Sequence, residues 1–294
     1  MARIEPLSAV LGARIEGVDL SRPLDAATLI RLETALHDHG FIVLPEQKLA
    51  ARDLVAFGRL WGRPEPHVID TFHHPDDPDI LVLSNVVRDG RPTGLADAGS
   101  YFHTDYSYLE VPARCTILYA LQVPRALGGT TFANQTRAYE ELPGETKRRI
   151  EPLVARHHYG NRDDTDETSR TAASYLNEEQ RKKVTWVRHR IARPHPRTGR
   201  KALYAVSGSS FAIEGMDDGA AVTLLDQLKE HSTQSRYRHT YEYRVGDVIV
   251  WDNAQLLHKA PLTDPHDPRT LWRVTIKEEA VAPAQAGAQF GRAS

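Results

Sequence analysis

The sequence predicts a mainly β fold with added helices, an α+β chain built on a double-stranded β-helix (jelly-roll) core. Two observations predict it. Short apolar runs separated by turn residues recur over most of the chain, and they show no regular strand–helix alternation of the kind that builds parallel sheets. No internal repeat or low-complexity linker divides the 294 residues, so one domain over residues 1–279 is expected. The one compositional break is the small-residue run from Ala280 to Gly287, and residues 280–294 read as a disordered tail.

The elements can be justified in order. Asp25 to His39 reads as a helix, with Leu29, Leu32 and Leu36 at helical spacing and Gly40 as its stop. Phe41-Ile42-Val43-Leu44 follows as a buried strand. Ala50 to Trp61 is helical again, with Leu54, Phe57 and Leu60 on one face. Strands are then expected at Ile80–Leu83, Thr116–Tyr119, Thr131–Ala133, Leu203–Val206, Arg236–Val245, Asp247–Trp251 and Leu271–Lys277. Helices interrupt them near Arg137–Glu151 and Gly219–His231.

Composition narrows the class of protein. A net charge of −2 gives no electrostatic footprint for nucleic acid or an acidic membrane. A single cysteine, Cys115, excludes an internal disulfide and a thiolate metal cluster. The first residues lack the apolar run of a signal peptide, and no apolar segment is long enough to span a bilayer, so a cytoplasmic location is expected. No G-x-S-x-G elbow, G-x-G-x-x-G loop or P-loop is present.

The chemistry concentrates in a few residues. His103-Thr104-Asp105 places an imidazole and a carboxylate two apart, which on a strand puts both on one face and turns Thr104 away. With His258 they form the ligand set of a two-histidine, one-carboxylate triad, which leaves open positions on an octahedral iron. An H-x-D dipeptide alone is common by chance. Arg269 and Arg273, four apart, share a strand face, and two inward guanidinium groups are costly to bury without anionic partners. Gly128-Gly129-Thr130-Thr131 suggests a tight turn whose threonine opens the next strand. His157, His158, His189 and His195 lack a supporting ligand pattern and read as surface or structural residues.

Together these motifs resemble the taurine dioxygenase family, which includes phenoxyacetate-herbicide dioxygenases. The resemblance runs from Val18-Asp19-Leu20 through Phe41–Pro45, Leu60–Pro64, Phe102–Asp105, Gly128–Thr131, Ala138-Tyr139-Glu140 and Trp251-Asp252-Asn253 to Arg269 and Arg273. It implies an Fe(II)/2-oxoglutarate-dependent dioxygenase that consumes O2, releases succinate and CO2, and hydroxylates a small anionic substrate, in some cases with cleavage of a carbon–heteroatom bond. By the same resemblance His103, Asp105 and His258 hold the iron, and Arg269 with Thr131 holds the distal carboxylate of 2-oxoglutarate. Arg273 would bind the substrate's acidic group, a sulfonate, sulfate, carboxylate or phosphonate. His67 stands where the taurine enzyme has a substrate-binding histidine, and Asn85 is a candidate pocket residue. Relatives commonly form dimers or tetramers, so a homo-oligomer is expected.

The chain departs from the family pattern in three places. Phe102 replaces a frequent tryptophan, Thr130 a frequent aspartate, and Gly99 stands near the position of an asparagine in the taurine enzyme. The last puts taurine itself in doubt. Two other classes compete with this reading. A zinc or nickel cupin-like hydrolase or isomerase could use the same three ligands, but it has no need of a dicarboxylate anchor at Arg269. A non-catalytic jelly-roll binding protein has no need of the triad.

Overall fold

The computed structural model describes residues 2–96, 98–160 and 176–279. The tail expected over residues 280–294 lies outside them. The chain opens with β1 (Arg3–Pro6), β2 (Ala13–Glu16), α1 (Ala26–His39), β3 (Phe41–Leu44) and α2 (Ala51–Arg59). It continues through β4 (His73–His74), β5 (Asp77–Ser84), β6 (Val87–Arg88), β7 (Arg91–Pro92), β8 (Ala113–Gln122), β9 (Thr130–Asn134), α3 (Gln135–Glu140) and α4 (Gly144–Ile150). Next come β10 (Val154–His157), α5 (Glu178–Lys182), β11 (Val187–Arg190), β12 (Ala192–Pro194), β13 (Lys201–Leu203) and β14 (Ser210–Ile213). The chain then forms α6 (Asp218–Ser232), β15 (Arg238–Tyr241), β16 (Val248–Asp252), β17 (Leu256–Lys259) and β18 (Thr270–Lys277).

The largest sheet has the order β1-β2-β3-β16-β8-β18-β5-β4, antiparallel except where β2 meets β3. Its two faces are sorted by the period of two along each strand. Ile42 and Leu44, Val248 and Val250, Ile117 and Tyr119, and Val274 and Ile276 face α1 and α2. The alternate residues Phe41, Val43, Ile249, Trp251, Leu118 and Leu271 face a smaller sheet, β15-β9-β17, and pack with its Phe132, Tyr241 and Leu256. The far side of that smaller sheet is covered by α3 and α6 through Ala133, Leu257, Ala138, Leu224 and Leu228. Each fully buried apolar side chain in these layers contributes roughly 1.5–3 kcal/mol. The sheets therefore face one another across an apolar layer, and the site opens within that layer.

Local chemistry sets the helix ends. Asp25 caps α1 by accepting from the Thr28 amide at 2.6 Å, and Gly40, at φ 76°, closes it through a bond to Leu36 O. The single helix expected over Arg137–Glu151 is two, because Pro143 caps the second and cannot continue the first. The strand expected at Leu203–Val206 ends at Leu203, where β13 pairs with β12, and Ala205 follows at φ 50°. Of Arg236–Val245 only Arg238–Tyr241 is strand, preceded by a 3-10 turn. Among the described residues no helix is long and apolar enough to cross a membrane.

Candidate active site

The site is organised by one backbone bridge. His103 N donates to His258 O at 2.9 Å and His258 N to His103 O at 2.8 Å, so the loop of the H-x-D motif adds a single rung to the free edge of β17. That rung brings the two imidazoles side by side, with ring centroids 4.2 Å apart. The expected strand geometry is not what converges the ligands. Only His103 is in the bridge, and Asp105 begins a turn whose next residue, Tyr106, is left-handed at φ 56°. The turn swings the carboxylate back, so that Asp105 Oδ1 lies 3.8 Å from His103 Nε2 and Oδ2 lies 3.7 Å from His258 Nε2.

A divalent ion fits these donors. Bonds of about 2.1 Å place two ligand atoms at most about 4.2 Å apart, and both separations from Asp105 lie inside that span. His103 Nδ1 donates to Tyr101 O at 2.9 Å, which leaves the Nε2 lone pair toward Asp105. Burial, then the neighbouring His103, pushes His258 down to about 3, so its ring is neutral and can ligate. Burial alone would raise the Asp105 carboxyl. His258, Arg273, His103 and the Thr116 hydroxyl outweigh it and hold the group well below the usual carboxylate range.

Asn253, quoted in the Trp251-Asp252-Asn253 motif but given no role there, stands behind the triad. Its side-chain oxygen accepts from the Asp105 amide at 3.2 Å and from Trp251 Nε1 at 3.1 Å. Its amide nitrogen donates to Thr116 Oγ1 at 2.9 Å, and Thr116 in turn donates to Asp105 Oδ2 at 2.6 Å. Thr104 turns away from the ligands, as expected, and donates to Asn253 O at 2.8 Å.

Two cavities meet at the triad, both bordered by Gly99, His103 and Arg273. The inner one is lined by Leu83, Leu118, Thr130, Trp251, His258 and Arg269. The outer one is lined by His67 and Arg273 with the rings of Tyr101, Tyr106, Tyr108 and Tyr159. Arg269 is buried and donates from Nε to Gly128 O at 3.2 Å. Arg273 is buried too. Its Nη1 lies 3.5 Å from Asp105 Oδ1, while Nε and Nη2 have no hydrogen-bond partner. Burial, then Arg273, holds His67 well below its ordinary value, and its Nδ1 accepts from the Ile69 amide.

Two sequence expectations are corrected by this geometry. Thr131 does not face the inner cavity. Its hydroxyl bonds Thr240 Oγ1 at 2.8 Å across β15, because Thr130 and Phe132 take the inward positions of β9. Thr130 is the threonine beside Arg269 in the cavity wall, with its hydroxyl 2.8 Å from Tyr243 Oη. Asn85 does not line either cavity. Its amide is spent on Asp264 O, Asp267 O and the Arg269 amide, so it braces the turn that leads into Arg269.

A second cluster, His37, His195 and Asp252, also gathers possible ligand atoms. His195 has no lone pair to give. Its Nδ1 accepts from the Arg197 and Thr198 amides, so Nε2 carries the proton donated to Asp252 at 2.8 Å. This is a structural brace, as expected for His195. His157 and His189 are likewise buried structural residues rather than surface ones.

The comparisons agree with this geometry. The family model for the taurine catabolism dioxygenase TauD, TfdA family matches residues 3–275. Pentalenolactone F synthase of Streptomyces arenae is 29% identical over 289 residues, covering 95% of this chain and 97% of that protein. The alpha-ketoglutarate-dependent 2,4-dichlorophenoxyacetate dioxygenase of Cupriavidus pinatubonensis is 29% identical over 290 residues, 94% of this chain and 98% of that protein. The crystal structure of AAD-2 in complex with Mn(II) and N-oxalylglycine superimposes with a TM-score of 0.80 at 27% identity, covering 96% of this chain and 99% of that one.

Proposed function

The chain belongs to the taurine catabolism dioxygenase TauD, TfdA family, and from that premise we propose that it is an Fe(II)/2-oxoglutarate-dependent dioxygenase acting on a small anionic organic substrate. The observation that carries the reading is the convergence of His103, Asp105 and His258 between two cavities, each with a buried arginine. The two facing sheets support the jelly-roll core expected from the sequence, and residues 1–279 are read as one domain on it.

Iron, when bound with 2-oxoglutarate, supplies the chemistry that couples O2 to loss of CO2, formation of succinate and hydroxylation of a substrate C–H bond. The protein's residues do the rest. His103, Asp105 and His258 would hold the ion, as a two-histidine, one-carboxylate set does. Arg269 takes the distal carboxylate of 2-oxoglutarate with its planar fork, and Thr130 replaces Thr131 as the hydroxyl beside it. In the outer cavity Arg273 and His67 hold the substrate's acidic group, a carboxylate, sulfonate, sulfate or phosphonate. The tyrosine rings there exclude water and pack on an apolar body. A hydrolase on the same ligands would leave Arg269 buried without an anion, a cost of several kcal/mol with no return.

The test is an anaerobic titration of the protein with Fe(II) and 2-oxoglutarate, followed by a screen for succinate release across small anionic compounds. A visible charge-transfer band that requires both additions, and is absent from His103→Ala, is the expected result. A correctly folded protein that gives no band would sink the assignment.

A further inference from the structure

Resting on the reading of the triad as the metal site, we propose that Arg273 makes metal binding and substrate-anion binding mutually dependent, because both draw on the Asp105 carboxylate. Arg273 Nη1 lies 3.5 Å from Asp105 Oδ1, the same oxygen that faces His103 Nε2 at 3.8 Å. One carboxylate oxygen therefore answers both to the guanidinium and to the position a metal takes. Arg273 is buried with the Tyr106 ring against its guanidinium, and Asp105 is the one anion within ion-pair distance of it among the described residues.

A divalent ion at the triad draws off the charge of Asp105 and adds a second positive centre beside a largely buried guanidinium. Both effects oppose the metal. An anion in the outer cavity, which Arg273 lines, gives the guanidinium its own partner and lifts that opposition. Linkage makes the effect reciprocal: the metal strengthens the anion by the factor with which the anion strengthens the metal.

The charge balance agrees. Among the described residues lining the two cavities, the formal charges are those of Asp105, Arg269 and Arg273, because His103 and His258 hold a metal only through neutral-ring lone pairs and His67 Nδ1 accepts from the Ile69 amide. That leaves one net positive charge. A divalent ion and dianionic 2-oxoglutarate cancel one another, so a monoanionic head group is what brings the closed site to neutrality. Arg273 is thus a sensor that keeps the metal loosely held until a monoanion arrives, as well as a clamp for that monoanion.

The experiment is a titration of Mn(II) into the metal-free full-length chain, read by the electron paramagnetic resonance signal of free Mn(II). Arg273→Met removes the charge and Arg273→Lys keeps it on a similar stem. Arg273→Met is expected to bind Mn(II) alone about 5–150-fold more tightly than the wild type, the usual range for coupled sites, and Arg273→Lys to stay near the wild type. With 2-oxoglutarate present, phenoxyacetate tightens Mn(II) binding to the wild type and not to Arg273→Met, whereas neutral phenoxyethanol affects neither. Should Arg273→Met not fold, Arg273→Gln carries the same comparison. Mn(II) binding by the folded uncharged variant that equals or falls below the wild type overturns the proposal, as does a phenoxyacetate effect that survives in it. If wild-type binding does not exceed that of His103→Ala, the metal reading itself falls.

Discussion

Thr116 donates a 2.6 Å hydrogen bond to Asp105 Oδ2, and this short contact joins a long strand of the large sheet to a carboxylate held in a loop. Thr116 is itself held by Asn253, so the orientation of Asp105 is set two residues deep. Thr116→Val keeps the shape of the side chain and removes the hydroxyl, leaving an acceptor on Asp105 and a donor on Asn253 unsatisfied. The expected result is a 10–100-fold loss of Mn(II) or Fe(II) affinity with a stability loss of about 1–3 kcal/mol. Metal titration alongside urea unfolding checks both, and unchanged metal affinity would show that Asp105 is held by its turn alone.

The cosubstrate assignment separates two adjacent threonines. Thr130→Val should raise the 2-oxoglutarate concentration needed for half-maximal succinate release several-fold, while Thr131→Val should leave it unchanged. Arg269→Ala removes a charge-assisted pair worth about 1.5–3 kcal/mol and should raise the same concentration roughly 10–150-fold. Mn(II) binding without 2-oxoglutarate should survive in Arg269→Ala. If Thr131→Val proved the more damaging threonine change, the register of β9 relative to the cavity would have to be revised.

How much of this was legible in the sequence depended on the distance over which each feature is written. The ligand types and their H-x-D spacing sit within three residues, and the apolar runs of β3, β8, β16 and β18 carry their own period, so both could be read directly. Thr130 and Thr131 could not be told apart, because either face of a strand accepts a threonine until partners fix the register, here Tyr241 opposite one and Thr240 opposite the other. Asn253 and Thr116 meet across 137 residues, and no local pattern announces such a pair. β17, which carries His258, escaped notice because its four residues Leu256–Lys259 are too short to show a period of their own. Asn85 looked like a pocket residue because motif position says which residue is present and not which way its amide turns.

Acid stability offers a separate check on the brace at His195 and Asp252. Burial would raise the Asp252 carboxyl, but His195, its hydrogen bond, His37 and the Ala254 amide outweigh it and bring it to about 2. A depressed carboxylate stabilises the fold above its unfolded value, near 4, and that stability fades as pH falls toward the folded value. Asp252→Asn should therefore cost about 3 kcal/mol near neutral pH, because its one amide oxygen cannot accept both from His195 and Gln255 and from the Ala254 amide, and progressively less between pH 4 and 2. Urea unfolding of both proteins across this range tests the point; a difference that stays constant with pH would remove Asp252 from the acid limb.

Gly99 shows how closely the backbone approaches the His103 ring. It sits at φ 76°, and a Cβ built there would lie 2.6 Å from His103 Cε1 and 3.2 Å from His103 Nε2, the nitrogen that faces Asp105. Gly90 provides the control, since it has nearly the same φ, 74°, with nothing within 4 Å of a Cβ. Gly90→Ala should cost only the left-handed backbone penalty, about 1–2 kcal/mol, and leave the metal site untouched. Gly99→Ala carries the same penalty and must also displace the His103 ring, so its Mn(II) affinity should fall at least tenfold below that of Gly90→Ala. The comparison isolates contact from conformation, because the strain is common to both variants and the collision belongs to one. Equal Mn(II) affinities would mean that His103 has room to yield, and the missing side chain at Gly99 would then matter for substrate space rather than for the ligand behind it.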